Sequence, residues 1–257
     1  MIARLPEKLQ FTMLVFCLAT FGTPVVAQAA QDDADGWNFV VAPYLLVPHM
    51  NGNVNVGGNA SDVDVGPGDV FENLDFGAML YLEMANPNWA ITFDGYYVDL
   101  GAAGDIPASG QTADVGVKQL MLEAAGLWRA AEWAEVGIGA RVNSIKGSLF
   151  AEALGPAPEI DLSSRRSWLD PVVVARLMAP LENRWRLGVR GDIGGFGIGS
   201  SITWQVRPFA GYRFGSLFEV TLSYRALGMD YETGSGADLF VYDMVTFGPE
   251  LGFLFHF

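Results

Sequence analysis

Cysteine is almost absent: the only one is Cys17, inside a stretch that reads as a removable leader, so thiol chemistry, disulfides and Cys-based metal sites are excluded from the mature chain. Histidine is nearly as scarce, with His49 and His256 alone, which leaves base catalysis and metal binding little to work with. Basic residues are outnumbered, 15 Lys and Arg against 29 Asp and Glu, and a formal net charge of −14 argues against nucleic acid as a partner. No segment supplies the roughly 20 uninterrupted apolar residues of a membrane-spanning helix.

What is present starts with the leader. Arg4 and Lys8 precede the uncharged run Phe11 to Phe21, and Val26-Ala27-Gln28-Ala29 carries the small residues that signal peptidase needs. A signal peptide is expected over 1–29, followed by one outer-membrane β-barrel domain over 30–257. Phe16, before Cys17, is too large for a lipoprotein cleavage site.

The remaining chain combines 51% hydrophobic residues and 31 glycines with only 17% charged residues, a balance suited to a sheet that faces hydrocarbon on one side. Its last residues put Leu251, Phe253, Phe255 and Phe257 on one face and Glu250, Gly252, Leu254 and His256 on the other. Such an apolar face with a terminal aromatic suits the strand that closes a transmembrane barrel. The same period of two recurs upstream. Val136, Ile138, Ala140 and Val142 alternate with Glu135, Gly137, Gly139 and Arg141; Trp204, Val206 and Pro208 alternate with Thr203, Gln205 and Arg207.

Connections alternate in length. Asn86-Pro87-Asn88, Ala130 to Glu132, Glu182-Asn183 and Gly215-Ser216 read as tight periplasmic turns. Gly101 to Thr112, Gly147 to Arg166, Gly194 to Ser200 and Asp230 to Asp243 read as outer loops, mostly longer and polar. Parity then gives an all-β, closed, antiparallel up-and-down transmembrane barrel of about ten strands, with about eight or twelve as alternatives. The segment Asn51 to Val65 lacks an apolar face, which argues against a spanning hairpin there. A secreted β-sandwich is the rival that alternation alone does not exclude.

Trp37, Trp89, Trp128, Trp133, Trp185 and Phe257 fall beside the periplasmic turns and form an expected aromatic girdle. Alternation points Glu83, Asp94, Glu123, Glu135, Asp170, Asp192, Glu219 and Glu250 inward, with Arg141, Arg176, Arg190, Arg207, Arg213 and Arg225. In a small barrel these charges are expected to pair across strands, because an unpaired buried charge costs several kcal/mol. A largely packed lumen argues against a wide, general porin.

Other chemistry has thin support. Asp62, Asp64, Asp69 and Glu72, with Glu152, Glu159, Asp161, Asp230, Glu232, Asp238 and Asp243, make the outer segments acidic, and the Asp62-Val63-Asp64 spacing lacks the rest of a calcium loop. His49 could meet Asp243 or Ser200 at the outer rim, but no nucleophile motif accompanies it. No catalytic residue, cofactor or metal is therefore expected, and the chain is not read as an enzyme.

Trp168-Leu169-Asp170-Pro171-Val172-Val173-Val174-Ala175-Arg176, the Arg190 to Ser200 string, Thr203-Trp204-Gln205 and Gly211-Tyr212-Arg213-Phe214 resemble a group of uncharacterised proteobacterial outer-membrane β-barrel proteins. Asn73-Leu74-Asp75-Phe76 and Tyr96 to Leu100 extend the likeness over most of the mature chain. The resemblance implies a barrel in the outer membrane of a Gram-negative bacterium and carries no activity. The expected role is envelope structure or slow passage of a small solute. Binding through the acidic outer loops, or lipid modification using His49, are the alternatives. The expected partners are outer-membrane lipid, lipopolysaccharide and the barrel-assembly machinery acting on the last strand, with the barrel a monomer.

Overall fold

A computed structural model describes residues 36–106, 111–154, 159–179, 181 and 184–257. The expected leader and the Glu182-Asn183 turn lie outside the described residues. The strands are β1 (Asn38–Leu46), β2 (His49–Val56), β3 (Asn59–Val65), β4 (Leu74–Ala85), β5 (Trp89–Ile106), β6 (Gln111–Ala131), β7 (Ala134–Ala151), β8 (Ile160–Met178), β9 (Trp185–Gly194), β10 (Ile202–Arg213), β11 (Phe218–Thr233) and β12 (Phe240–His256), with a short helix α1 (Pro67–Glu72) between β3 and β4.

Ten strands close a ring in the order β1, β4 and then β5 to β12, with β12 returning to β1. Closure runs from Val40↔His256 to Leu46↔Glu250, all antiparallel. Phe257 itself is a rung of that seam: its N–H donates to Phe39 O at 2.9 Å, and Phe39 N–H donates to Phe257 O at 3.1 Å. A closed ring leaves no strand edge in hydrocarbon, where an unpaired peptide group has no water to turn to.

β1 and β2 act as one long strand against β12, the lower part of β12 pairing β1 and Phe240 to Phe247 pairing β2. The join is at Val47-Pro48, where Val47 N–H still reaches Pro249 O at 2.9 Å. Gly248 permits this close approach, since a Cβ there would stand 1.9 Å from Val47 O. β3 pairs only with β2, so the Asn51 to Val65 segment rises above the ring as a hairpin and does not span.

Most of the expected outer loops are instead extended strand. The β5–β6 ladder runs to Ile106↔Gln111, β7–β8 to Ala151↔Ile160 and β11–β12 to Thr233↔Phe240. A second alternation accompanies this: Leu149 and Leu162 within Gly147 to Arg166, with Val115 and Val117 just past Gly101 to Thr112, recur at every other position on the inward side, so pairing continues and turns them toward one interior. Gly194 to Ser200 is a true turn, with positive φ at Gly195, Phe196 and Gly197.

At this level the polarity of the sheet inverts. Lower down, the outward residues are apolar, such as Phe93, Leu122, Ile138, Val173, Leu222 and Phe253, and the inward ones are charged. Higher up, Asp114, Lys118, Lys146, Asp161, Arg165 and Asp243 face outward while Met50, Val54, Ile145, Phe240, Tyr242 and Met244 face in. The expected polar inner face therefore holds only for the lower half. Hydrocarbon surrounds one half and water the other, so the apolar side changes with the solvent. Because β9 and β10 end early, the upper half consists of two flaps, β5 to β8 facing β11, β12, β2 and β3. Trp168 and Tyr231 join them, stacked with ring centroids 4.1 Å apart.

The ring, its apolar belt and its aromatic lower rim are those of a transmembrane barrel of the Gram-negative outer membrane. Trp37, Trp89, Trp128, Trp133, Trp185 and Phe257 all project outward at the rim on the side of the Asn86, Glu132 and Gly215 turns. An edge-to-face series continues it from Trp185 to Tyr212 at 5.0 Å and from Tyr212 to Phe214 at 4.9 Å.

Candidate functional site

The lumen carries the chain's polar chemistry, and its lower half is crossed by arginine–carboxylate bonds. Nearest the periplasmic rim, Glu219 accepts from Arg186 at 2.8 Å and lies 3.2 Å from His256, with Arg213 at 3.6 Å. Gly211 makes this possible, because a Cβ there would lie 2.2 Å from Glu219 Oε1. One level up, Glu135 binds Arg129 at 2.8 Å and Arg176 at 2.5 Å, and Arg176 reaches across to Glu83 at 2.5 Å. Tyr81 also donates to Glu83.

Two further groups fill the middle. Arg141 joins Glu123 at 2.5 Å to Asp192 at 2.7 Å, Arg190 donates to the other oxygen of Glu123, and Gln205 donates to Asp192 at 3.0 Å. Asp94 takes Arg225 at 2.9 Å, Arg207 at 3.3 Å and the Tyr44 hydroxyl at 2.8 Å. Glu250 takes Arg225 at 2.9 Å and Arg207 at 3.5 Å. Arg207 on β10 and Asp94 on β5 belong to strands opposite each other in the ring of ten, so these contacts bridge the lumen's full width. Arg141, Arg190 and Arg225 are almost wholly buried, and only a long guanidinium arm delivers paired donors that far from its own strand.

Asp170 departs from the expected pairing. It makes no ion pair among the described residues, although Arg141 is its register partner on β7. Arg141 is drawn instead to Glu123 and Asp192, and Asp170 accepts four neutral donors: Asn143 Nδ2 at 3.0 Å, Trp168 Nε1 at 3.1 Å, Ser200 N–H at 2.6 Å and Ser200 Oγ at 3.0 Å. It thereby ties the β9–β10 turn to β8. Arg213 is the other outlier, with a half-exposed side chain at the periplasmic mouth.

Arg129, Arg186, Tyr44, Tyr81, Gln205 and His256 contribute to the network but are missing from the sequence-based set. The two arginines share the inward parity of their neighbours, so alternation alone could have found them. The tyrosines read equally well as girdle residues.

Above this network the interior is apolar. Tyr96, Met121, Trp168, Leu227, Met229 and Tyr242 form a buried layer. Over it opens a vestibule of about 610 Å³ lined by Val54, Val56, Val63, Val117, Ile145, Leu149, Leu162, Phe240 and Met244, with Arg166 at its wall. On the outer surface His49 bonds to Asp64 at 2.7 Å and stacks on Phe247 at 4.9 Å, so it meets neither Asp243 nor Ser200. Ser200 is fully buried against Asp170.

No protein-family model matches the chain, and no curated protein matches it. Among solved structures, Ail, the attachment invasion locus protein of Yersinia pestis, is 11% identical in complex with the heparin analogue sucrose octasulfate, covering 87% of this chain and 99% of that one at a TM-score of 0.39. The translocator domain of autotransporter NalP from Neisseria meningitidis is 12% identical over 87% of this chain and 89% of that one, TM-score 0.41. The P. putida toluene transporter TodX is 8% identical over 89% and 91%, TM-score 0.33.

Proposed function

We propose that this outer-membrane barrel is closed to free diffusion and works from its outer face as a binding and envelope-structural protein. The observation that carries this reading is the Arg207–Asp94 contact between opposed strands, stacked with the Arg141–Glu123 and Arg176–Glu83 pairs in one lumen. A solute crossing the lower half would have to separate several buried ion pairs, each costing on the order of 3–5 kcal/mol to break. The inward charges act as a brace, the aromatic rim anchors the barrel in lipid, and Phe257 offers its closing strand to the assembly machinery. Lipopolysaccharide and outer-membrane lipid are its surroundings, and the barrel works as a monomer.

The test is current through a planar bilayer holding refolded protein. A closed barrel gives no steady steps in molar salt, and Arg207→Ala with Arg176→Ala introduces them. Steady steps from the unaltered protein would refute the closed reading. Slow passage of a small solute is the second reading, favoured by a cavity of about 70 Å³ among Tyr44, Tyr81, Arg190 and Arg207, room for about two waters.

A further inference from the structure

The flaps above the bilayer have the patterning of a water-soluble sandwich, polar outside and apolar inside, yet the space between them is not filled. Val56, Val117 and Leu162 point inward and remain 52%, 40% and 61% exposed. A soluble sandwich buries such residues against its other sheet. Here they line an open vestibule of about 610 Å³, inside the roughly 300–1,000 Å³ range of small-molecule sites.

Apart from Ser148, Ser163 and Ser164 the lining is apolar, and one wall residue brings charge into it. Arg166 lies with its guanidinium carbon 5.9 Å from the Phe240 ring centre, and Nη1 donates only to Ser164 Oγ and Arg165 O, both at 3.2 Å. No carboxylate among the described residues pairs with it, whereas Arg141, Arg176, Arg190, Arg207 and Arg225 of the lower network each meet at least one acid. In a chain of net charge −14, a cation left without an acid inside an apolar space is a complement to an anionic head on an apolar body. The floor of Trp168, Met121 and Tyr242 would stop such a molecule short of the charged half.

We infer that the vestibule binds a small amphipathic anion, an aliphatic chain ending in a carboxylate or similar group, with the chain between the flaps and the head at Arg166. This inference deepens the closed-barrel reading and rests on it for the outer face being the working face.

Sodium decanoate titrated calorimetrically at pH 8 into protein in lipid nanodiscs, with empty nanodiscs subtracted, tests it. The inference expects one saturable site, at least tenfold weaker binding of decyltrimethylammonium, and a tenfold or greater loss of decanoate affinity in Arg166→Gln with decanol binding unchanged. Leu162→Trp fills the vestibule from an already exposed position and should abolish the site, with heat-modifiable gel mobility verifying the fold. Heat no greater than that of empty nanodiscs, equal binding of both head groups, or full decanoate binding in Leu162→Trp would each overturn the inference. The two readings fail separately: steady current with saturable decanoate binding removes the closed barrel and keeps the site, while neither current nor binding does the reverse.

Discussion

The lower and upper halves of this barrel are made by the same strands yet solve opposite problems. In the lower half, Leu222 points into hydrocarbon and its neighbour Ser223 points inward, donating to Glu250 at 2.9 Å. In the upper half of the same hairpin Asp243 faces water while Tyr242 and Met244 are buried inside. Burial of apolar surface drives both arrangements, but the medium outside decides which face is hidden. Below, lipid takes the apolar side and the lumen must neutralise its own charges. Above, water takes the polar side and the interior becomes an oily cleft. The change occurs near Asp170, a carboxylate held by neutral donors alone, between the ion pairs beneath it and the Trp168 layer above.

The largest test of this contrast is Glu123→Ala. It leaves the guanidinium groups of Arg141 and Arg190, 0% and 2% exposed, short of an acid, and should lower stability by about 3–5 kcal/mol in urea unfolding from lipid vesicles. A midpoint that does not move would mean that water hydrates the lower lumen.

A matched pair sharpens the comparison directly. Leu222 and Leu162 are 60% and 61% exposed, but one faces lipid and the other the vestibule. Leu222→Arg should cost about 2–4 kcal/mol, whereas Leu162→Arg, in water, should stay within about 0.5 kcal/mol. Equal costs would break the claim that the polarity inverts along the strands.

The smallest effect is expected at His49. Its contact with Asp64 lies on the outer surface, with those side chains 36% and 72% exposed, so His49→Ala should change the unfolding free energy by less than about 1 kcal/mol. A shift beyond that would mean that the β2–β3 hairpin is stapled to the barrel through this residue.

The sequence by itself determined the class of the fold. Alternation from Trp89 to Phe257, tight turns at Asn86 and Gly215, and the aromatic closing strand are local properties, written at a spacing of two. They specify faces, an antiparallel meander and a ring of about ten strands, and the closure of β12 on β1 fixed the number at ten. The same parity turned Glu83, Asp94, Glu123, Arg141 and Arg225 inward. Only the tertiary structure decided which of them meet, because partners such as Arg207 and Asp94 are 113 residues apart and become opposed through the number and stagger of strands. It also decided where the membrane ends. Alternation says which residues share a face but not what medium that face meets, so Leu149 and Leu162 read as parts of a polar outer loop until the paired flaps placed them around a common space. Asp170 shows the same limit on a smaller scale: its inward direction and its closeness to Trp168 are legible, but its bonds to Ser200 depend on a glycine turn folding back from another strand, a contact that no spacing in the chain encodes.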